Sequence, residues 1–313
     1  MAARACGSTG GKRDPKKSAQ HFLPKKRLKY AFVASSADGF SVKRMCKVLR
    51  VTRSGYYAWS KRQPSQREQS NQALLESIQQ IFHTSHRTYG SPRIWASLRR
   101  KGYVCGHNRV ARLMHTYGIV ARRRRRRIPL TTQRQPGVIP APNLLQRDFS
   151  ADRPNRKWVT DITYIDTAEG WLYLASVMDL FSRKVVGWAM SDKIDSALST
   201  NALRMAWTNR RPLRGLLHHS DQGRQFTGAA YQQMLAEMGC MVSMNRTGEC
   251  YDNASMESFF ATLKTECVTK QFASRAEARR TIFEYLEGWY NRQRLHSSLD
   301  YRSPAEFEAS SGH

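Results

Sequence analysis

Apolar residues recur at helical spacing through the first third of the chain and at strand spacing beyond residue 156, so the change of period divides the molecule. In "SVKRMCKVLRVTRSGYYAWS" (41–60), Val42, Met45, Cys46 and Leu49 share one helical face, and a break at Arg50-Val51-Thr52 precedes a second helix from Arg53 to Ser60. This predicts either a helix-turn-helix or two short helices that merely pack together. Leu74, Leu75, Ile78, Ile81 and Phe82 predict a helix over 71–82, too short for a coiled coil. Pro92 suits the first turn of a helix carrying Ile94, Trp95 and Leu98, and a Gly-marked break at 102–106 leads to a helix with Val110, Leu113 and Met114 that stops at Gly118. That pair reads as a second helix-turn-helix unit or as a plain basic hairpin.

From Arg156 the pattern turns to alternation and continuous apolar runs. "KWVTDITYI" (157–165), "GWLYLASVMDL" (170–180) and "KVVGWAMS" (184–191) predict three successive strands. A helix over 195–209, a strand over 215–220, a helix over 227–238, a strand over 240–244, and helices near 253–268 and 274–292 follow. Three antiparallel strands and then alternating helices and strands predict an α/β fold with a mixed five-stranded sheet and flanking helices, preceded by a basic all-α helix-turn-helix region.

Charge sharpens this division. Residues 1–147 hold 32 Lys+Arg against 4 Asp+Glu, whereas residues 148–313 hold 20 of each, so the whole net charge of +28 lies in the first half. A basic half joined to a neutral half points to a polyanion-binding portion beside a portion that does something else. The expected organisation is a basic disordered arm (1–40), a helix-turn-helix (41–65), a second helical DNA-binding region (66–120), an Arg-rich linker (121–147) and a core (148–311). Arg93, Arg99, Arg100, Lys101, Arg109 and Arg112 stud the polar faces of the second helical region as candidate DNA contacts. The six consecutive arginines Arg122, Arg123, Arg124, Arg125, Arg126 and Arg127 are expected to track a phosphate backbone without reading sequence. Six cysteines with no C-x-x-C pair fit free thiols in a reducing compartment, and no apolar run approaches transmembrane length. The expectation is a soluble intracellular protein with no membrane partner.

Three carboxylates stand out within the neutral half. Asp161 lies mid-strand between Trp158, Ile162 and Ile165, where a charge must be solvated at a sheet edge, paired or bound to metal. Asp221 follows the apolar strand "LLHHS" (216–220), at a strand's carboxyl end where α/β sheets commonly carry their sites. Glu257 lies one turn into the helix opened by "DNASMESFFATLK" (252–264), beside its apolar stripe Met256, Phe260, Leu263 and Cys267. Lys264 lies two turns further on the Glu257 line, about 10.5 Å along the axis. The 35 residues between Asp221 and Glu257 carry little weight alone, because residues 148–313 contain 10 Asp and 10 Glu. The local settings carry more: three hard carboxylates suit Mg²⁺ or Mn²⁺, two ions about 3.5–4 Å apart over a phosphodiester bond. His218 and His219 beside Asp221 read as ordinary strand-end histidines, with proton transfer or phosphate orientation as the sharper alternative. Tyr290 and Asn291 read as a helix closure, and His296 with Ser297-Ser298 as a structural loop.

"WVTDITY" (158–164), "HSDQGRQF" (219–226), "DNASMESFFATLK" and "YNRQRLHSSLDYRSPAEF" (290–307) together resemble the second-reading-frame transposases of two-frame bacterial insertion sequences, in the DDE transposase and retroviral integrase superfamily. The resemblance covers roughly residues 41–308 in four ordered motifs. It implies an RNase H-like catalytic fold, Asp161, Asp221 and Glu257 as a metal-binding catalytic triad, and Lys264 as a contact to element-end DNA. It further implies double-stranded DNA, at element ends and target, as partner and substrate, metal-dependent cleavage and strand transfer without a covalent enzyme intermediate, a homo-oligomer on DNA, an upstream-frame product or fusion as partner, and a bacterial cytoplasmic, nucleoid-associated location. This chain departs from the family pattern at Arg50 and near Asp300, where Gly is usual, and at Asn245, where Ser is common. Two other readings compete: a DNA-binding accessory protein that needs the upstream-frame fusion, and a nuclease of the RNase H type.

Overall fold

The computed structural model describes residues 26–122, 140–245 and 251–312. The chain forms two compact units, Met1–Ala73 and Leu74–His313. Arg123 to Arg127 and the arm up to residue 25 lie outside the described residues.

In the first unit, α1 (Lys26–Ser35), α2 (Val42–Leu49) and α3 (Arg53–Ser60) enclose Val33, Met45, Cys46, Leu49 and Tyr56. The segment 26–35, expected to belong to a disordered arm, is therefore helical. Tyr30 packs on Tyr56 and Trp59, and Val33 is buried, so this stretch has an apolar face that its Lys and Arg content conceals. The Thr52 hydroxyl caps α3 by accepting from the Gly55 amide (3.2 Å). Gly55 must lack a side chain, because a Cβ there would stand 2.3 Å from the Tyr30 hydroxyl. Arg50 ends α2 in the left-handed conformation (φ 53°, ψ 51°), the geometry for which Gly is usual.

In the second unit, the end of α4 (Gln66–Thr84), α5 (Ser91–Arg100) and α6 (His107–Thr116) share a core of Leu74, Ile78, Ile94, Leu98, Val110 and Leu113. The α5–α6 break is closed by the Trp95 indole donating to the Cys105 carbonyl (2.9 Å). Leu295, from the far end of the chain, enters the same core, and its amide donates to the Tyr89 hydroxyl (2.7 Å).

The sheet runs β3-β2-β1-β4-β5, built from β1 (Lys157–Thr167), β2 (Gly170–Asp179), β3 (Val185–Ser191), β4 (Leu217–Ser220) and β5 (Met241–Met244). β1, β2 and β3 pair antiparallel, while β4 pairs parallel with both β1 and β5. The mixed five-stranded sheet expected from the pattern is thus observed. One face holds Trp158, Ala175 and Val177 against α7 (Ser196–Arg210) and α9 (Ala229–Glu237). Contact between β3 and α7 is so close that a Cβ on Gly187 would lie 2.3 Å from the Ala202 carbonyl oxygen. The other face holds Val159, Ile165, Leu174 and Met178 against α10 (Ala254–Glu266) and α11 (Arg275–Phe283).

The expected 227–238 helix is present as α9, opened at Gly228 and preceded by a single turn α8 (Arg224–Thr227), whereas another expected helix is interrupted. The 274–292 helix changes after α11 into a π-helical turn over Glu284–Tyr290. That wider turn lets Tyr285 and Tyr290, five apart, both face the core. Asn291 then pairs with the start of β3, accepting from the Val185 amide (3.0 Å) and donating to its carbonyl (2.9 Å). α12 (Pro304–Ser310) opens with a capping box between Ser303 and Glu306.

Candidate active site

Strand pairing brings the first two carboxylates to the same seam. Lys157, Trp158 and Val159 of β1 pair with Leu217, His218 and His219 of β4, and Asp221, just past the end of β4, acts on Asp161 through its charge. Adjacent strands lie about 4.8 Å apart, which brings the two carboxyls to one edge of the β1–β4 seam. Asp161 shares its strand face with Val159 and Ile165, the face that α10 covers. α10 is anchored there by Met256, Phe259, Phe260 and Leu263, and Glu257 stands exposed on the flank beside that stripe, in the first turn. Glu257 still lies within electrostatic reach of Asp161.

The loop geometry around these acids follows from local hydrogen bonds. Asp221 folds back to accept from the Gly223 amide (2.9 Å), a turn that ends β4. The Ile162 amide donates to Asp161 Oδ1 (2.7 Å). Buried Asp252, just before α10, accepts from the Arg147 amide (2.7 Å) and the Asn143 amide group (3.0 Å), which straps residues 143–147 to the helix start. Ser243 reinforces that strap by accepting from the Leu144 amide (2.9 Å). The end of the Arg-rich segment is therefore pinned to the sheet, with Leu145 in the core.

Electrostatics at this seam are unbalanced. Burial, then the charges of Asp221 and Glu257, push the Asp161 carboxyl up to about 8, while hydrogen bonds from the Ile162 amide and the Asn253 side chain pull the other way. Three carboxylates repelling one another supply hard oxygen donors and a charge that a divalent cation would relieve. Among the described residues no three of His, Cys, Asp and Glu stand in a group ready to hold a metal ion, so the carboxylates are electrostatic neighbours rather than a preformed cage.

The histidines before Asp221 are structural, as ordinary strand-end residues are. His219 is buried between the Ser243 hydroxyl (2.8 Å) and Asn245 Oδ1 (2.5 Å), and His218 contacts the Tyr231 hydroxyl (3.1 Å). Burial holds both rings below their usual range, His218 at about 3, so both are neutral at physiological pH. Tyr290 is buried with its hydroxyl pushed up by burial, which removes it as a nucleophile. Cys46, Cys105, Cys240 and Cys267 are free thiols.

The expected DNA contacts divide. Lys264 lies on α10 two turns beyond Glu257 and is partly exposed. Lys101 and Arg112 are exposed and Arg109 is half-buried. Arg99 stacks over Trp95, 5.3 Å from the ring centre. Arg100 is engaged within the fold by an ion pair with Glu306 and a bond to the Tyr301 carbonyl (3.4 Å). Arg122 bonds the Thr265 carbonyl at the end of α10 (3.3 Å), and Arg93 turns inward over the Tyr89 ring. Sequence reasoning missed Asp252 and Asn253 as positioning residues, although both stand in the motif that opens α10.

Residues 69–127 match the HTH-like domain family, and residues 151–250 and 238–304 match two integrase core domain families. The chain is 43% identical over 285 residues to transposase InsF for insertion sequence IS3A of Escherichia coli (strain K12), covering 90% of this chain and 98% of that protein. It is 42% identical over 264 residues to the insertion element IS600 uncharacterized 31 kDa protein of Shigella sonnei, covering 84% and 97%. Among solved structures, the HTLV-2 integrase catalytic core domain in complex with magnesium aligns at 16% identity and a TM-score of 0.40, over 51% of this chain and 99% of that one. The chain belongs to the transposases of two-frame bacterial insertion sequences, within the DDE transposase and retroviral integrase superfamily.

Proposed function

We propose that this DNA transposase cleaves insertion-sequence ends and transfers the resulting strands through Asp161, Asp221 and Glu257. The observation that carries the reading is that Asp161, on the β1 face covered by the Glu257 helix, feels the charges of both Asp221 and Glu257. Members of the superfamily use divalent metal ions, and the three carboxylates are the residues that would hold them here, as a pair of Mg²⁺ or Mn²⁺ ions. When bound, such ions supply Lewis acidity to the attacking and leaving oxygens of an in-line phosphodiester exchange. Asp161 within β1 and Asp221 just past the end of β4 fix the donor positions, while exposed Glu257 on α10 completes the set from the solvent side. Asn253 orients the Asp161 carboxylate, and the Asp252 strap holds the start of α10 against the sheet. Neutral His218 and His219 pack behind the seam and add no competing positive charge.

The basic helices, Lys264 and the arginines at 122–127 would hold element-end and target DNA, with copies of the chain assembling on it and an upstream-frame product or fusion taking part. No described helix is long and apolar enough to cross a membrane, and action on DNA supports a bacterial cytoplasmic location with the nucleoid. The accessory-protein alternative is not favoured, because the family match extends through the whole catalytic core.

Asp161→Asn, Asp221→Asn and Glu257→Gln are each expected to lower Mg²⁺-dependent strand transfer on the order of a thousandfold, about 4 kcal/mol, with the fold intact by circular dichroism. Undiminished joining by any one of the three would remove that residue from the assignment.

A further inference from the structure

A pocket of about 340 Å³ opens on the flank of α10, one residue round the helix from Glu257, and takes its walls from five separate parts of the second unit. Such a volume lies within the range of small-ligand pockets, about 300–1,000 Å³. Its polar lining includes Arg93 of α5, Arg183 of the β2–β3 turn, Ser255 and Ser258 of α10, and Arg294 and His296 from the C-terminal segment. Among the described residues no Asp or Glu lines it.

The three guanidiniums are not equivalent. Arg294 is neutralised by Glu266, which it grips through Nε (2.9 and 3.0 Å) and Nη2 (2.8 Å), and that charge holds the arginine up against the effect of burial. Arg183 donates to the Ser255 hydroxyl (2.6 Å), and Arg93 lies over the Tyr89 ring at 5.6 Å. Among the described residues neither has a carboxylate ion-pair partner. Burial presses both below the ordinary arginine value, and in Arg93 the neighbouring Arg294 charge adds to it. The His296 ring is held at about 2 by burial and then by Arg294, Arg93 and Arg183, so all three cations converge on it. Half-buried positive charge without a counter-ion costs stability unless an anion enters.

We propose that this pocket binds a phosphate group of the DNA strand that runs along α10, with Arg93 and Arg183 as its counter-ions and the exposed Ser258 hydroxyl as a further donor. Arginine suits this task because its planar fork meets two phosphate oxygens at once. Ser258 follows Glu257 directly, so a strand held at the carboxylates passes the pocket within a nucleotide or two. The proposal deepens the reading of the chain as a transposase and rests on it for the source of the phosphate.

The test is a salt titration of full-length protein binding to a fluorescent 30-base-pair duplex of arbitrary sequence, since a phosphate contact reads no bases. Arg183→Gln and Arg93→Gln are each expected to reduce the slope of log affinity against log salt by about 0.9, the signature of one lost phosphate contact. Arg183→Lys should restore most of that slope, and Arg204→Gln, an exposed arginine of α7, should leave it unchanged. Thermal stability should hold or rise in Arg183→Gln, because an uncompensated charge is removed, whereas a purely structural arginine would lower it. Unchanged slopes in both pocket variants overturn the proposal. If millimolar inorganic phosphate stabilises wild type but not Arg183→Gln while the duplex slope stays the same, the pocket takes a free anion and the DNA source is overturned. Asp161→Asn should bind the duplex with the wild-type slope, so failure of the carboxylate assignment, seen as retained joining, is distinguishable from failure of the pocket.

Discussion

Two groups of carboxylates in the same unit are treated in opposite ways. Glu266 is buried against Arg294, and Asp179 and Glu308 share Arg210, with Lys184 also on Glu308 (3.0 Å). Hydrogen bonds from Arg210, Lys184 and Ser182 outweigh burial and hold the Glu308 carboxyl low, whereas burial pushes the Asp179 carboxyl up in spite of Arg210. At the β1–β4 seam, by contrast, Asp161 is pushed up to about 8 by burial and by the charges of Asp221 and Glu257. The paired acids close the fold, tying the C-terminal helix to the sheet. The raised Asp161 marks where a cation from outside belongs, and the pocket beside α10 is the mirror case, with cations awaiting an anion.

The largest effect should come from breaking a compensated pair. Glu266→Gln leaves Arg294 charged and buried beside Arg93 and Arg183, at a cost of about 3–5 kcal/mol. Denaturant unfolding measures this, and a loss under about 1 kcal/mol would mean that solvent reaches Arg294.

The seam predicts the reverse sign. A carboxyl whose folded value lies above its unfolded value of 3.8 favours the protonated folded state, so its cost is absent below about pH 4, grows as pH rises and is complete above about pH 8. In metal-free buffer at pH 8, Asp161→Asn should therefore be more stable than wild type by about 1–2 kcal/mol, or several degrees in Tm. The difference should vanish near pH 4. Millimolar Mg²⁺ should raise the midpoint of wild type and leave that of Asp161→Asn nearly unmoved. A variant less stable than wild type at pH 8 would show that Asp161 is compensated after all.

Legibility in the sequence follows the same division. Asp161 could be found because a carboxylate inside "WVTDITY" violates the apolar pattern around it, and the strand periods were strong enough to give all five strands. The compensating partners could not be found. Arg100 meets Glu306 across 206 positions and was expected on DNA, and Ser182 meets Glu308 across 126. No local period encodes such pairs. The anion pocket was illegible for the same reason, since Arg93, Arg183 and Arg294 belong to three separate patterns, and His296 read only as a loop residue. Helix α1 was hidden because its Lys and Arg content dominates a short apolar face.

The smallest effect isolates backbone cost from charge compensation. Asp300 has a cationic partner, Arg302, at 3.4 Å, but its side chain is 89% exposed, so the pair should contribute little. Its backbone is left-handed (φ 52°, ψ 41°), as is that of Arg50 at the end of α2. A left-handed L-residue costs about 1–2 kcal/mol, less for Asp, and glycine returns about 0.5–1 kcal/mol of that as unfolded-state entropy. Arg50→Gly should stabilise its unit by up to about 1 kcal/mol, and Asp300→Gly by a few tenths, as read from thermal midpoints. Arg50 has no carboxylate partner among the described residues, so a gain there with a loss at Asp300 would assign the difference to the Arg302 pair. Equal small gains at both would confine charge compensation to the buried network of Glu266, Asp179 and Glu308, where removing a partner strands an ion away from water.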